Sequence, residues 1–315
     1  MRASRVATLA AVVMTAPALV ATGCAVHAYW SQPTAPVLRH VTHQPRHYLG
    51  VIASNLAAFD RAAGVRANLT VRYVAFGEPF PLRIVQDFAG LGTETLIELL
   101  PRSVSLPSIA DGSQDRYLRA FGDAIRGSGD VVMVSFAPEA DGNWYPWGSG
   151  HAPPSEFIAA FRHVHDVLTA AAPGQVTWVW QMSTLQGKHN KPRVLASLWP
   201  GSRYVTLIGL DGYFYLPGTT FATVFGTTIT LIRKFTHTPM LITETAAGPL
   251  AGQAAKIPLL FAGVRSNGLL GLVWFDRNQA GDNLNLYRQD WSLQGDRAGL
   301  AAFRKALRDY GYVGS

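Results

Sequence analysis

Eight short apolar runs, spaced along residues 47–275, restrict the possible folds more than any other feature of this sequence. They are His47–Ser54, Leu69–Phe76, Thr95–Leu100, Asp130–Phe136, Val176–Met182, Tyr204–Leu210, Pro239–Thr243 and Leu269–Phe275. The runs are rich in β-branched and aromatic residues and largely lack polar alternation, which is typical of strands covered on both faces. The sequence therefore predicts eight buried strands.

Stretches with a helical spacing of apolar residues lie between these runs, and strands that alternate with helices pair in parallel. The clearest are Asp115–Arg126, Ser155–Ala172, Phe221–Phe235, Gln253–Arg265 and Arg297–Asp309. No glycine-rich phosphate-binding fingerprint follows the first run, as an open dinucleotide-binding sheet would require. The sequence therefore predicts the α/β class, with a (β/α)₈ TIM barrel over residues 47–315.

The amino-terminal segment has the pattern of an export signal. Arg2 and Arg5 precede an apolar run over Val6–Ala21, which is short for a membrane span. The run leads into Ala21-Thr22-Gly23-Cys24, which resembles a bacterial lipobox. We predict a lipoprotein-type signal peptide over residues 1–23, lipidation of Cys24, a proline-containing linker over residues 24–46, and an exported protein anchored to a membrane. The alternative is an ordinary signal peptide that is cleaved nearby.

Composition excludes several other classes of protein. Apolar residues make up 48% of the 315-residue chain and charged residues 15%, which favours a globular body over disorder. The formal net charge is +7, yet there is no run of five or more lysines and arginines, so nucleic acid is not an expected partner. Cys24 is the only cysteine, which rules out a disulfide within the chain. A monomer is expected.

Histidine placement argues against a metal centre. His163 and His165 are two residues apart on a predicted helix and therefore point to different faces. His40, His43 and His47 lack carboxylates at metal-ligand spacing.

Two glutamates stand directly after apolar runs. Glu139 follows the fourth run and Glu244 the seventh, and the site of a TIM barrel lies at the carboxyl ends of its strands. Strands four and seven lie on opposite sides of an eight-stranded ring, so the two side chains can converge across its mouth. A pair of carboxyl groups about 5–5.5 Å apart is what a retaining glycosidase requires.

The residues after Glu139 suit a sugar ligand. Trp144 and Trp147 offer aromatic rings to the C–H faces of sugars, and Asp141 and Asn143 offer polar groups to their hydroxyls. We therefore predict all four as substrate-binding residues.

Ala137–Gly148 resembles the acid/base segment of glycoside hydrolase family 26, the β-mannanase-type family of clan A. Gly209–Tyr213 and Trp274-Phe275 also resemble that family. The resemblance implies a (β/α)₈ barrel, net retention of configuration and no cofactor. It also implies that Glu139 is the acid/base, that Glu244 is the nucleophile with Tyr213 beside it, and that Trp274 stacks under the sugar at the cleavage subsite.

Three positions depart from the family pattern. Pro138 stands where the family usually has a histidine, Ser135 where an arginine is common, and Asp141 where an asparagine is usual. A carboxylate at position 141 would raise the pKa of Glu139 if it lay close. Both glutamates are retained, so the departures bear on the substrate more than on the reaction.

The sequence therefore predicts an endo-acting β-glycanase, with mannan as the preferred substrate. The same fold and residues would also serve a β-glucanase, a xylanase or a transglycosylase acting on an envelope glycan. A third possibility is a catalytically weakened barrel that binds or helps to export a polysaccharide.

Other polar residues have alternative interpretations. Glu98 lies inside the third run, which favours a structural ion pair. Asp211 and Tyr213 would either serve the site or close a turn at Gly212. Asp276 would either bind sugar hydroxyls or cap a loop.

Overall fold

The computed structural model describes residues 47–185 and 192–312, and within these ranges eight parallel strands close into a barrel in sequence order. The strands are β1 (Tyr48–Ala53), β2 (Leu69–Ala75), β3 (Glu94–Leu100), β4 (Val132–Phe136), β5 (Val176–Ser183), β6 (Leu207–Asp211), β7 (Met240–Thr245) and β8 (Gly271–Asp276). Pairing of β8 with β1 completes the ring. The predicted (β/α)₈ barrel is confirmed.

Helices cover the outside of the barrel. Those in the described ranges are α1 (Leu56–Ala63), α2 (Leu82–Gly90), α3 (Leu106–Ala110), α4 (Asp115–Ser128), α5 (Pro154–Ala171), α6 (Pro192–Ser197), α7 (Thr227–Ile232), α8 (Gln253–Ser266) and α9 (Arg297–Asp309). No helix within these ranges is both long and apolar enough to cross a membrane. The predicted signal peptide, the lipidation of Cys24 and the linker lie outside the described residues.

The sixth strand and the helix that follows it differ from the prediction. The sixth strand begins at Leu207 rather than Tyr204, because Ser202–Tyr204 forms a 3₁₀ turn. The predicted helix over Phe221–Phe235 is divided into a π-helical stretch over Ala222–Gly226 and the short α7.

Strand register brings polar side chains together inside the barrel. Tyr73 of β2 pairs with Glu98 of β3, and Glu98 pairs in turn with Ser135 of β4. Paired residues of neighbouring parallel strands point to the same face. Tyr73, Glu98 and Ser135 therefore share the inner face of the barrel.

A register irregularity in β7 aims Glu244 inward. Leu210 pairs with Ile242, but Asp211 pairs with Glu244, so β7 carries one extra residue at Thr243. Such a bulge interrupts the normal alternation of faces. Thr243 and Glu244 therefore both reach inner-face partners, Thr243 by donating to Asp211 and Glu244 by accepting from Tyr73.

Gly209 of β6 makes room for this irregular segment. A Cβ at this position would lie 2.6 Å from Oγ1 of Thr243 and 3.1 Å from Cβ of Gln181. Contacts of 2.6 Å are too short for a side chain to be added without movement. A glycine is therefore needed opposite the bulge.

Candidate active site

A cavity of about 620 Å³ opens at the carboxyl ends of the strands. Its wall includes the carboxyl groups of Glu98, Glu139, Asp211 and Glu244 and the guanidinium groups of Arg102 and Arg277. Glu139 and Glu244, which the sequence places after the fourth and seventh runs, thus face one space. The structure brings these two predicted residues together.

The segment that carries Glu139 is held in an unusual backbone conformation. Ala137 and Glu139 have φ angles of 50° and 54°, in the left-handed region that non-glycine residues seldom adopt. The amide of Glu139 donates to the carbonyl of Gln181 at 2.9 Å, and that of Ala137 donates to the carbonyl of Leu99 at 3.0 Å. Strain of this kind persists only where surrounding contacts fix the chain, and it is concentrated at functional sites.

Two indoles hold the segment that carries Glu139, where Pro138 lacks a side-chain donor. Nε1 of Trp144 donates to Oε2 of Glu139 at 2.8 Å. Nε1 of Trp147 donates to the carbonyl oxygen of Pro138 at 2.7 Å. Tryptophans therefore orient Glu139 in place of the histidine that is usual in family 26.

Glu244 accepts hydrogen bonds from two tyrosines. The hydroxyl of Tyr213, at the end of β6, donates to Oε1. The hydroxyl of Tyr73, in β2, donates to Oε2 at 2.6 Å. Hydrogen bonds donated to a carboxylate favour its ionised form. Sequence reasoning predicted Tyr213 but missed Tyr73. Only the alternation of faces along β2, which places Val71, Tyr73 and Ala75 on the inner face, would have revealed it.

The surroundings of the two glutamates favour different protonation states. Burial and the neighbouring Glu244 carboxylate raise the pKa of Glu139 to about 8. Burial also raises the pKa of Glu244, but the bonds from Tyr213 and Tyr73 and the charge of Arg277 oppose that rise. At neutral pH Glu139 therefore carries a proton, while the two tyrosine bonds and the charge of Arg277 favour the ionised form of Glu244.

Gln181 of β5 connects the acidic groups beneath this pair. Its Nε2 donates to Oε1 of Glu98 at 2.9 Å and to Oδ2 of Asp211 at 2.8 Å. Oδ1 of Asp211 also accepts from the hydroxyl of Thr243 at 2.7 Å. Asp211 therefore belongs to the site and does more than close a turn.

The prediction of a structural ion pair for Glu98 was wrong. Glu98 is 4% exposed, lines the cavity and makes no ion pair with any described residue. A position inside an apolar strand suggested burial away from solvent, but the inner face of a barrel leads to its mouth.

The structure contradicts the predicted position of Trp274. Its side chain is fully buried, packs edge-on against Phe303 of α9 with ring centroids 5.5 Å apart, and donates to the carbonyl of Trp291. Trp274 therefore faces the helical layer rather than a sugar. Phe275, the next residue along β8, lines the cavity instead.

Two more predicted substrate-binding residues lie behind the surface of the cavity. Trp147 is 2% exposed and stacks on Tyr145 with centroids 4.4 Å apart, so Tyr145 is the ring that lines the cavity. Asp141 is 1% exposed, and its carboxylate accepts bonds from the amide and hydroxyl of Ser183, each at 2.9 Å. Both residues support the segment that carries Glu139 rather than reach into the cavity.

The other polar residues singled out in the sequence lie as follows. Asn143 is exposed on the same loop, and its carbonyl oxygen is bonded to the ring of His151 at 2.8 Å. Oδ1 of Asp276 accepts from the amide of Leu293 at 2.7 Å and therefore caps a loop. Ser135 is fully buried, and its Oγ has no hydrogen-bond partner among the described residues.

Asp141→Asn is expected to stabilise the protein increasingly as pH rises. Burial raises the pKa of Asp141 from 3.8 to about 6. The neutral form of Asp141 therefore contributes fully to the free energy of unfolding below pH 3.8, and this contribution is lost as pH rises through about 6. Asparagine avoids this loss and still bonds both groups of Ser183. Its free-energy advantage in urea unfolding should therefore grow by about 1–2 kcal/mol from pH 5 to pH 8.

Asp87→Asn, on the exposed face of α2, controls for the loss of one negative charge. A flat difference between Asp141→Asn and the wild type across this pH range would contradict the assigned state of Asp141.

Exposed aromatic rings are connected to both glutamates through direct contacts. Trp144, which contacts Glu139, is 46% exposed. Tyr215 lies 5.8 Å from Tyr213, the partner of Glu244, and its ring contacts Tyr287, which is 68% exposed, at 5.5 Å. Exposed rings of this kind suit the C–H faces of successive sugars.

None of the histidines within residues 47–185 and 192–312 lines the cavity. His163 bonds to Asp115 at 2.6 Å, and His165 to Asp166 at 2.8 Å. Among residues 47–185 and 192–312, no group of three histidine, cysteine or acidic side chains is placed to hold a metal ion.

Comparison with known sequences supports the family resemblance. Residues 126–261 match the model of glycosyl hydrolase family 26. Endoglucanase H of Acetivibrio thermocellus is 27% identical over 274 residues, which are 81% of this chain. The chain spans only 29% of the length of that relative.

Solved structures share the fold. A family 26 β-mannanase from Bacteroides ovatus superposes with a TM-score of 0.64 at 12% identity, over 84% of this chain and 87% of that one. The catalytic domain of a family 26 endo-β-1,4-mannanase from Bacillus sp. JAMB-750 gives 0.62 at 14%, over 84% and 86%. A fungal β-1,4-galactanase gives 0.60 at 12%, over 82% and 99%. The predicted resemblance to family 26 is thus confirmed, while the structures at such low identity establish the fold alone.

Proposed function

We propose that this relative of the family 26 glycoside hydrolases is a retaining endo-β-glycanase, with Glu139 as acid/base and Glu244 as nucleophile. The observation that carries the proposal is the asymmetry of the two glutamates across one cavity. Both are half-buried, but the pKa of Glu139 is raised to about 8, whereas Glu244 accepts from Tyr213 and Tyr73, and these bonds oppose the rise in its pKa. A retaining glycosidase needs one protonated and one ionised carboxyl group.

In the first step, a carboxylate oxygen of Glu244 attacks the anomeric carbon. The glycosidic C–O bond breaks, and Glu139 transfers its proton to the departing oxygen. The products are a shortened glycan and a sugar bound covalently to Glu244. Burial of Glu139 keeps the required proton in place at neutral pH.

In the second step, Glu139 is ionised and removes a proton from water. The water oxygen attacks the anomeric carbon, and the bond to Glu244 breaks. Glu139 regains its proton, and Glu244 regains its charge. Two inversions at one carbon release a product with the configuration of the substrate.

The preferred substrate in this proposal is a β-mannan, with a β-glucan as the second candidate. The solved β-mannanases support the first, and the name of the relative endoglucanase H supports the second. The exposed rings of Trp144, which bonds to Glu139, and of Tyr287, which contacts Tyr215 near Tyr213, support binding of an internal stretch of a polymer. Export, lipidation of Cys24, attachment to a membrane and a monomeric state are proposed from the sequence.

Incubation with β-mannan, mixed-linkage β-glucan, β-1,3-glucan and xylan tests the activity. We expect new reducing ends from at least one of the first two glycans, and viscosity that falls early relative to the release of reducing ends, as internal cleavage requires. A double variant, Glu139→Ala with Glu244→Ala, controls for contaminating glycanases. Binding to a glycan without release of reducing ends would instead support a polysaccharide-binding barrel.

A further inference from the structure

Glu98 is a buried acid in the cavity, and neither step of the proposed reaction uses it. It lies on the inner face of β3, between Tyr73 of β2 and Ser135 of β4. Its side chain lines the same cavity as Glu139 and Glu244. A buried carboxyl group is costly to maintain unless partners or a ligand satisfy it.

The two oxygens of Glu98 have different surroundings. Oε1 accepts from Nε2 of Gln181 at 2.9 Å. Oε2 has no hydrogen-bond partner among the described residues. It is also not fully enclosed by protein atoms. Since the side chain lines the cavity, Oε2 is the atom that faces it.

Burial and the neighbouring Glu244 favour the neutral form of Glu98. Burial, Glu244 and Glu139 raise its pKa well above the usual value, and the bond from Gln181 opposes this only in part. A neutral carboxyl group both donates and accepts hydrogen bonds. A sugar hydroxyl does the same, so the open side of Glu98 matches a hydroxyl in both roles.

We propose that Glu98 binds a ring hydroxyl of the sugar unit that Glu244 attacks and thereby helps to select that sugar. The inference rests on the proposed glycanase activity, which places this sugar against Glu139 and Glu244. The competing explanation is that Glu98 only positions Gln181. The backbone carbonyl oxygen of Gln181 accepts a hydrogen bond from the amide of Glu139.

The test measures kcat/KM for the 4-nitrophenyl β-disaccharide that the wild type cleaves best, and for its analogues with one hydroxyl of the reducing-end sugar removed. Glu98→Ala should lower kcat/KM on the parent compound by roughly 10- to 100-fold, the effect of one buried hydrogen bond. One deoxy analogue should suffer a similar loss with the wild type but little further loss with Glu98→Ala, because the two changes remove the same bond. Glu98→Gln should retain most of the activity.

Glu94→Gln provides the matched control. Glu94 lies on the same strand at the opposite end of the barrel, where it accepts from Tyr48, and its replacement should leave the pattern across the analogues unchanged. Thermal unfolding of each variant establishes that it is folded. If Glu98→Ala does not fold, the same cycle is run with Glu98→Leu, which fills the space without a polar group.

Equal losses on the parent and on every deoxy analogue would overturn the proposal and assign Glu98 a positioning role. A wild type that cleaves no glycan and no aryl β-glycoside would reject the glycanase activity itself, and the sugar-binding role with it. The first failure appears only in comparisons between variants and the second already in the wild type, so the two are distinguishable.

Discussion

Glu244→Ala is expected to lower turnover of a β-glycan by on the order of 10⁵-fold or more, as loss of a catalytic nucleophile does in other enzymes. No other described carboxylate accepts from both Tyr213 and Tyr73, so none is prepared in the same way to attack. Tyr213 and Tyr73 would remain as donors without their acceptor. The measurement is the release of reducing ends, supported by thermal unfolding to establish that the variant is folded.

Azide separates loss of the nucleophile from general damage. Removal of the Glu244 side chain leaves space for a small anion beside the anomeric carbon, while Glu139 still protonates the leaving group. With an activated aryl β-glycoside, azide should restore turnover and give a glycosyl azide of inverted configuration, because one displacement replaces two. Glu94→Gln, at the far end of the barrel, should retain activity and give no azide adduct.

A different result would contradict the assignment. If Glu244→Ala cleaves glycans as fast as the wild type, Glu244 is not the nucleophile. If the wild type is inactive and azide produces nothing with the variant, the barrel binds glycans without cleaving them.

The fold was predictable because each strand of the barrel is buried on both faces. Such strands appear in the sequence as short apolar runs, and all eight predicted runs overlap β1–β8. The meeting of Glu139 and Glu244 in one cavity was also predictable, because the carboxyl ends of strands four and seven share the mouth of the ring.

Burial of the strands on both faces also explains the errors in predicting which side chains point into the barrel. A strand that is apolar on both faces gives no alternation from which to decide which side chain points inward. The resemblance to family 26 implied that Trp274 lies under the sugar, and the apolar strand offered no alternation to correct this, although Phe275 lines the cavity. Glu244 faces inward through a bulge that depends on pairing with β6, which residues distant in sequence determine.

Tyr73 and Gln181 were missed, and Glu98 was assigned the wrong role, for a related reason. They lie within strands rather than after them, and their contacts join positions 30 to 171 residues apart. Only the closed ring and its register bring these positions together. The sequence therefore predicts the pair of glutamates better than it predicts the groups that set their charge.

Glu139→Ala is expected to affect substrates according to their leaving group. Natural glycans require protonation of the departing oxygen, so their cleavage should fall by about 10²- to 10⁴-fold, the usual contribution of a general acid. A 2,4-dinitrophenyl glycoside leaves without a proton, so formation of its glycosyl enzyme should be nearly unaffected. An accumulated covalent sugar on Glu244, detected by mass spectrometry, would follow because no base activates water.

The pH dependence of kcat/KM tests the protonation states assigned to Glu139 and Glu244. Glu139 must carry its proton, and burial beside Glu244 raises its pKa to about 8, so wild-type kcat/KM should fall as pH rises through about 8. Glu244 must be ionised, so activity should also fall at low pH, towards a pKa that burial holds above the usual value of a carboxyl group. Glu139→Ala should abolish the alkaline limb and keep the acid one.

Azide again distinguishes the roles. In Glu139→Ala the anion would attack the covalent sugar on Glu244 from the face that water normally uses, so the glycosyl azide should keep the configuration of the substrate. This is the opposite of the product expected from Glu244→Ala, and the contrast assigns the two glutamates independently of any change in rate. Inverted azide from both variants, or an alkaline limb that survives in Glu139→Ala, would show that another group supplies the proton.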